Sequence, residues 1–154
     1  MANKFKERFT NSHKAVKHTE EWFKSLGCKN ISIPRSRLAP SRSEWKDYTD
    51  NGDIYIGKTR FEVKGLVADK YWFTTVYEYP YDNWIICAKH SYDRATPKPY
   101  AYLVWNNRLT HVGIIKTNTY KEWRILALKD PNYPTFQDFY VIDKTMVDVE
   151  YFEI

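Results

Sequence analysis

The sequence predicts an α/β chain in which a helix comes before a sheet. Three observations carry this expectation. Residues 12–26 form a run without Gly or Pro that ends against Gly27, residues 53–66 hold two strand patterns around a short turn, and aromatic and β-branched residues crowd several later runs.

The helix is expected over 12–26. Asn11 or Ser12 suits its N-cap, and Gly27 stands where a left-handed residue ends a helix. A strand is expected at 30–33, closed by Pro34, and residues 34–43 read as a long irregular connection. Further strands are expected at 71–75, 84–89, 100–105 and 112–116 from their aromatic and β-branched density. Residues 120–128 read as a short helix, because Trp123, Leu126 and Ala127 share a face and Pro131 and Pro134 lie just beyond. Residues 1–11 are expected to be a flexible lead, and residues 139–154 an edge strand or a docked extension. No repeat or low-complexity linker divides the chain, so a single domain over 1–154 is expected.

Composition narrows the function classes. The chain has 154 residues, is 43% hydrophobic and 28% charged, and has no apolar run approaching the ~20 residues that a membrane span needs. Its N-terminus lacks an apolar signal core, so a cytoplasmic protein without a membrane partner is expected. Cys28 and Cys87 have no second ligand at zinc-finger spacing and read as two reduced thiols. The four histidines form no constellation, and Walker A, GxGxxG, GxSxG and CxxC patterns do not occur. The net charge of +5 favours polyanionic partners, and it is unevenly spread: residues 1–47 carry +6 and residues 131–154 carry −4.

The chemistry-bearing segment is 53–64. A Gly57-Lys58 loop suits a type II′ turn, so paired residue numbers should sum to 115: Ile56 faces Thr59, Tyr55 faces Arg60, Ile54 faces Phe61 and Asp53 faces Glu62. Ile54, Ile56, Phe61 and Val63 then share one face, while Asp53, Tyr55, Arg60, Glu62 and Lys64 share the other. Two carboxylates directly across a ladder repel, which a divalent cation bound between them would relieve, and Lys64, two residues along the same face, is placed to reach the same spot. A solvated amphipathic hairpin is the equally weighted alternative.

Asp53 followed by Glu62-Val63-Lys64 resembles the motif of the PD-(D/E)XK nuclease superfamily, whose restriction-endonuclease-like core opens with a helix, a strand and this hairpin. Gly52 stands where the motif's name has proline. The resemblance covers roughly residues 12–66. It implies an α/β fold in which a helix is followed by a mixed central sheet with flanking helices, and a Mg²⁺- or Mn²⁺-dependent nuclease acting on DNA. Asp53, Glu62 and the Val63 carbonyl would bind the ion, and Lys64 would orient or deprotonate the attacking water. An acid on the first helix would support water at the ion or a second ion. Glu20, which shares a face with Val16 and Phe23, is chosen for it over Glu21. The products would be a 5′-phosphate and a 3′-hydroxyl, and two copies would pair as a homodimer where both strands are cut.

Arg35, Arg37, Arg42 and Lys46 are the expected contacts to backbone phosphates, and exposed rings among Tyr71, Trp72, Phe73, Tyr77, Tyr79, Tyr81 and Trp84 are candidates for stacking on bases. The main alternative is a non-catalytic nucleic-acid-binding module with the nuclease fold. A protein-interaction subunit is a third reading.

Overall fold

The computed structural model describes residues 2–34, 53–129 and 135–154, with side chains from residue 13 onward. Arg35, Arg37, Arg42 and Lys46 therefore lie outside the described residues, as does most of the 34–43 connection.

A long helix, α1 (Ala2–Ser25), opens the chain. It begins about ten residues before the expected start and runs through Asn11 and Ser12. Residues 2–11 contain no Gly or Pro and are rich in Lys, Glu, Arg and Phe, and a good capping residue does not stop a helix whose preceding residues propagate it. Its C-terminus is as expected. Gly27 has φ +81, its N–H donates to the Lys24 carbonyl at 3.0 Å, and the Cys28 N–H donates to the Phe23 carbonyl at 3.0 Å, the paired bonds of a Schellman ending.

Strand β1 (Ile31–Ser32) pairs with β2 (Ile54–Ile56), which turns through Gly57-Lys58 into β3 (Thr59–Gly65). The hairpin register is Ile54↔Phe61, Tyr55↔Arg60 and Ile56↔Thr59. Gly57 has φ +60 while Lys58 does not enter the left-handed region, as a type II′ turn requires.

Strand β4 (Asn83–Ala88) is followed by a short helix, α2 (Lys89–Arg94), then β5 (Ala101–Trp105), β6 (His111–Lys116), β7 (Arg124–Lys129), β8 (Phe136–Asp143) and β9 (Asp148–Tyr151). They form two sheets. The larger is mixed and six-stranded, in the order β1-β2-β3-β5-β6-β9, with β3 and β5 parallel; the smaller is antiparallel, in the order β4-β8-β7. The chain is thus mixed α/β with few helices, and no described helix is long and apolar enough to cross a membrane.

Three expectations change. Residues 71–75 are not a strand: a short 3₁₀ turn at Asp69–Tyr71 leads into irregular chain that buries Phe73 completely. Aromatic density there reflects burial, which needs no ladder. Residues 120–128 are not a helix but the end of a 3₁₀ segment, Thr117–Glu122, followed by β7, because pairing with β8 outweighs a weak helical periodicity. Residues 139–154 supply all of β9, the edge strand expected of the tail, and most of β8, which is instead central in the smaller sheet, so the tail is built into both sheets.

The larger sheet is covered by helix on one face only. Ala15, Val16, Trp22 and Phe23 of α1 pack on Ile54, Phe61, Val63, Leu103 and Trp105. The helix is pinned by Trp105 Nε1, which donates to Thr19 Oγ1 at 2.8 Å, and by the buried His18 ring, which lies 3.2 Å from the Phe152 carbonyl. The opposite face is covered by the smaller sheet: Trp84, Ile86, Cys87, Tyr140 and Ile142 pack on Tyr102, Val104 and Ile115. Hence β5 is buried along its whole length, the condition in which strands lose their polar alternation.

Trp84 fits between the sheets because Gly113 lacks a side chain; a Cβ there would overlap its six-membered ring. Gly113→Ala is therefore expected to lower stability by about 1–3 kcal/mol, read as a reduced urea midpoint with unchanged slope.

Candidate active site

Strand alternation decides what each residue of β3 faces. Phe61 and Val63 turn toward α1, while Glu62 and Lys64 turn toward the second sheet, beside Tyr102 and Val104 of the parallel strand β5. The polar face of the hairpin is thus covered in part.

Asp53 does not sit directly across a ladder from Glu62. The paired residues end at Ile54↔Phe61. Instead the Asp53 N–H donates to the Phe61 carbonyl at 3.2 Å, and its Oδ2 accepts the Val63 N–H at 2.7 Å. The carboxylate replaces a backbone carbonyl as the acceptor for β3 at the point where the hairpin opens. This fixes Asp53 beside the Glu62-Val63-Lys64 backbone, close enough for its charge to act on Lys64.

Glu62 has a partner that the sequence reading left without a role. Arg60, two residues earlier on the same face, donates from Nε at 2.9 Å and from Nη2 at 2.6 Å to Glu62 Oε1, and its Nη1 reaches the Pro97 carbonyl at 3.1 Å. The Arg60 side chain is only 5% exposed and that of Glu62 13%. The compensating cation expected beside Glu62 is therefore, at least in part, a guanidinium of the chain itself. The i, i+2 spacing of Arg60 and Glu62 on one strand was the available signal.

Lys64 is the most perturbed base of the site. Burial pushes its amine below the ordinary value of 10.5, and the negative potentials of Cys87, Glu62 and Asp53 counter only part of that shift. Opposite it, burial raises the Cys87 thiol, with a hydrogen bond to Tyr102 and the nearby Lys64 acting the other way. Asp53, Glu62 and Lys64 thus share one electrostatic neighbourhood.

Glu20 lies elsewhere. It belongs to α1, which packs on the Phe61 and Val63 face, and its carboxylate pairs with Lys17 at 3.3 Å. Among the described residues no three His, Cys, Asp or Glu side chains converge as a metal-binding group. The buried stripe of α1 runs through residues 15, 16, 18, 19, 22 and 23, leaving Glu20 at its margin.

The donors at the hairpin are hard oxygens: two carboxylates and the Val63 carbonyl. A carboxylate has about four lone-pair sites, so the N–H bonds accepted by Asp53 Oδ2 and Glu62 Oε1 leave the donor chemistry compatible with Mg²⁺ or Mn²⁺. No protein-family model, curated protein or solved structure matches the chain.

Two outcomes test this geometry. Arg60→Ala removes the forked partner of the mostly covered Glu62 carboxylate and is expected to cost about 3 kcal/mol; Arg60→Ala with Glu62→Ala should recover part of it in denaturant titrations. Lys64→Met removes a buried charge and is expected to leave stability equal or higher at neutral pH. Because the folded-state pKa of Lys64 is lowered, the unfolded chain holds more protons between that pKa and 10.5, so wild-type stability rises with pH across that window. The gap to Lys64→Met should narrow as 10.5 is approached, seen in Tm against pH.

Proposed function

We propose that the chain is a metal-dependent nuclease of the PD-(D/E)XK type that hydrolyses DNA phosphodiester bonds in the cytoplasm. The observation that carries this reading is the grouping of Asp53, Glu62 and Lys64 at one end of the β2–β3 hairpin, with the Lys64 amine under the potential of both carboxylates. The order of helix, short strand and hairpin, with β3 continuing into a mixed sheet, agrees with a restriction-endonuclease-like arrangement.

Asp53, Glu62 and the Val63 carbonyl are the residues that would hold Mg²⁺ or Mn²⁺. When bound, such an ion supplies Lewis acidity at a phosphoryl oxygen and makes water more acidic. The residues of the chain do the rest. The Val63 N–H holds Asp53 Oδ2 in place, and the Arg60 fork fixes Glu62 through Oε1, so both carboxylates are oriented before substrate arrives. Lys64 Nζ, with its lowered pKa, loses its proton more readily than an exposed lysine and is suited to accept one from the attacking water. In its protonated form it faces the charge that builds on the phosphoryl oxygens. The products are a 5′-phosphate and a 3′-hydroxyl. Arg35, Arg37, Arg42 and Lys46 remain the proposed backbone contacts to DNA, and Glu20 has no part in the site as drawn.

One observation favours a second reading, a non-catalytic nucleic-acid-binding module. Arg60 already neutralises Glu62, so Glu62 and Asp53 do not need an ion to coexist.

Plasmid nicking separates the two. The nuclease reading expects nicking with Mg²⁺ or Mn²⁺, none in EDTA, and loss of at least about a hundredfold in Lys64→Ala, with Asp53→Ala and Glu62→Ala also inactive. The rate should rise with pH toward the lowered Lys64 pKa. Equal nicking in all three variants overturns the assignment. DNA binding without any product, unchanged in the triple variant and steeply salt-dependent, establishes the binding module instead.

A further inference from the structure

A concave feature lies beside the three-stranded sheet, away from the hairpin. A cavity of about 480 Å³ opens between α2, β7 and β8, within the size range of small-ligand pockets. Three rings, Tyr120, Trp123 and Tyr140, line it together with Ile125 and charged side chains. Tyr120 is stacked on Tyr92, with centroids 5.1 Å apart and planes 20° from parallel, yet remains 45% exposed. A two-ring stack thus ends on a partly exposed tyrosine.

The cavity also carries charged and hydroxyl groups. Tyr140 donates its hydroxyl to Asp93 Oδ1 at 2.7 Å, Lys89 Nζ donates to Asp93 Oδ2 at 2.6 Å, and the Tyr120 and Tyr140 hydroxyls lie 3.5 Å apart. Lys121, next to Tyr120, adds a second ammonium to the lining.

This combination selects a ligand class. A cationic guest is disfavoured, because the chain's own lysines already approach the rings: Lys89 Nζ is 5.9 Å from the Tyr140 centroid and Lys98 Nζ is 4.4 Å from that of Tyr92. A bare phosphate would meet the Asp93 carboxylate. A flat heterocycle with polar edges answers this lining: an aromatic face for Tyr120, edge groups for the Tyr140 hydroxyl and the Asp93 carboxylate, and, where it bears a phosphate, an anion for Lys121.

The position matters as much as the chemistry. Trp123 lies 6.2 Å from the Tyr102 ring, and Tyr102 is the register partner of Glu62 in the parallel β3–β5 ladder. The aromatic wall therefore borders the residue beside the candidate catalytic carboxylate.

We propose that this cavity holds an unpaired nucleobase and that the substrate is consequently single-stranded DNA, or a duplex with a locally unpaired segment such as a supercoiled plasmid presents, rather than relaxed, fully paired duplex. The proposal rests on the nuclease reading for its substrate role, but base binding does not require cleavage.

The test is equilibrium binding in EDTA, read by fluorescence anisotropy with a short mixed-sequence single-stranded oligodeoxynucleotide, the same strand made abasic, and the annealed duplex. Wild type is expected to prefer the single strand over both other probes. Tyr120→Ala should weaken single-strand binding about tenfold, as loss of one stacking ring does, while Tyr120→Phe keeps it and Lys121→Ala lowers the salt dependence. Because Tyr120 is a surface residue, folding of each variant is checked by circular dichroism, and Tyr120→Phe preserves the ring stack. Equal affinity for intact and abasic strands, a preference for duplex, or unchanged binding in Tyr120→Ala overturns the proposal. Base-dependent binding by a protein that never nicks DNA supports the pocket while removing the nuclease reading. Nicking that survives alongside unchanged Tyr120→Ala binding does the reverse.

Discussion

The covering of a charged strand face by a second sheet is the constraint to which the other features answer. β3 presents Arg60, Glu62 and Lys64 on a face that in a two-layer hairpin would meet water. Here β4 and β8 lie over the neighbouring strand, and a carboxylate and an ammonium must be accommodated near apolar walls. Burying an unpaired ion is costly, so each group is held. Arg60 forks onto Glu62 and also donates to the Pro97 carbonyl. Asp53 accepts a backbone N–H that the ladder would otherwise leave unsatisfied. Lys64 absorbs the cost by a lowered pKa.

That pattern has a chemical meaning. Residues serving stability alone are seldom arranged so that an amine is destabilised in its charged form beside two acids, and perturbed bases of this kind concentrate where proton transfer is performed. The same Arg60 fork also offers a purely structural account of Glu62. The proposed nuclease reading therefore leans on Lys64 more than on the two carboxylates.

The aromatic residues divide into two populations. Trp84, Phe73 and Trp105 are fully enclosed and hold the layers together, with Trp84 admitted only because Gly113 has no Cβ. Tyr120 is exposed at the end of a ring stack next to two lysines. Composition alone treats them alike; their neighbours separate them.

Local interactions made part of this protein legible from its residues. The Gly57-Lys58 turn sets the hairpin register through adjacent backbone geometry, and Gly27 ends α1 through a left-handed residue, so both follow from a few consecutive positions. The grouping of Asp53 with Glu62-Val63-Lys64 follows from the same short turn. What lay beyond the sequence depends on distant partners. β8 recruits residues 124–129 into a strand despite their helical spacing, and residues 71–75 bury rings without entering a sheet. Packing of α1 on the Phe61 and Val63 face separates Glu20 from the hairpin's acids, a consequence of which side of a sheet a helix covers. Turns and caps are decided within a few residues by dihedral preference, whereas the burial of Lys64 and the company of Glu62 arise only when segments far apart in the chain exclude water together.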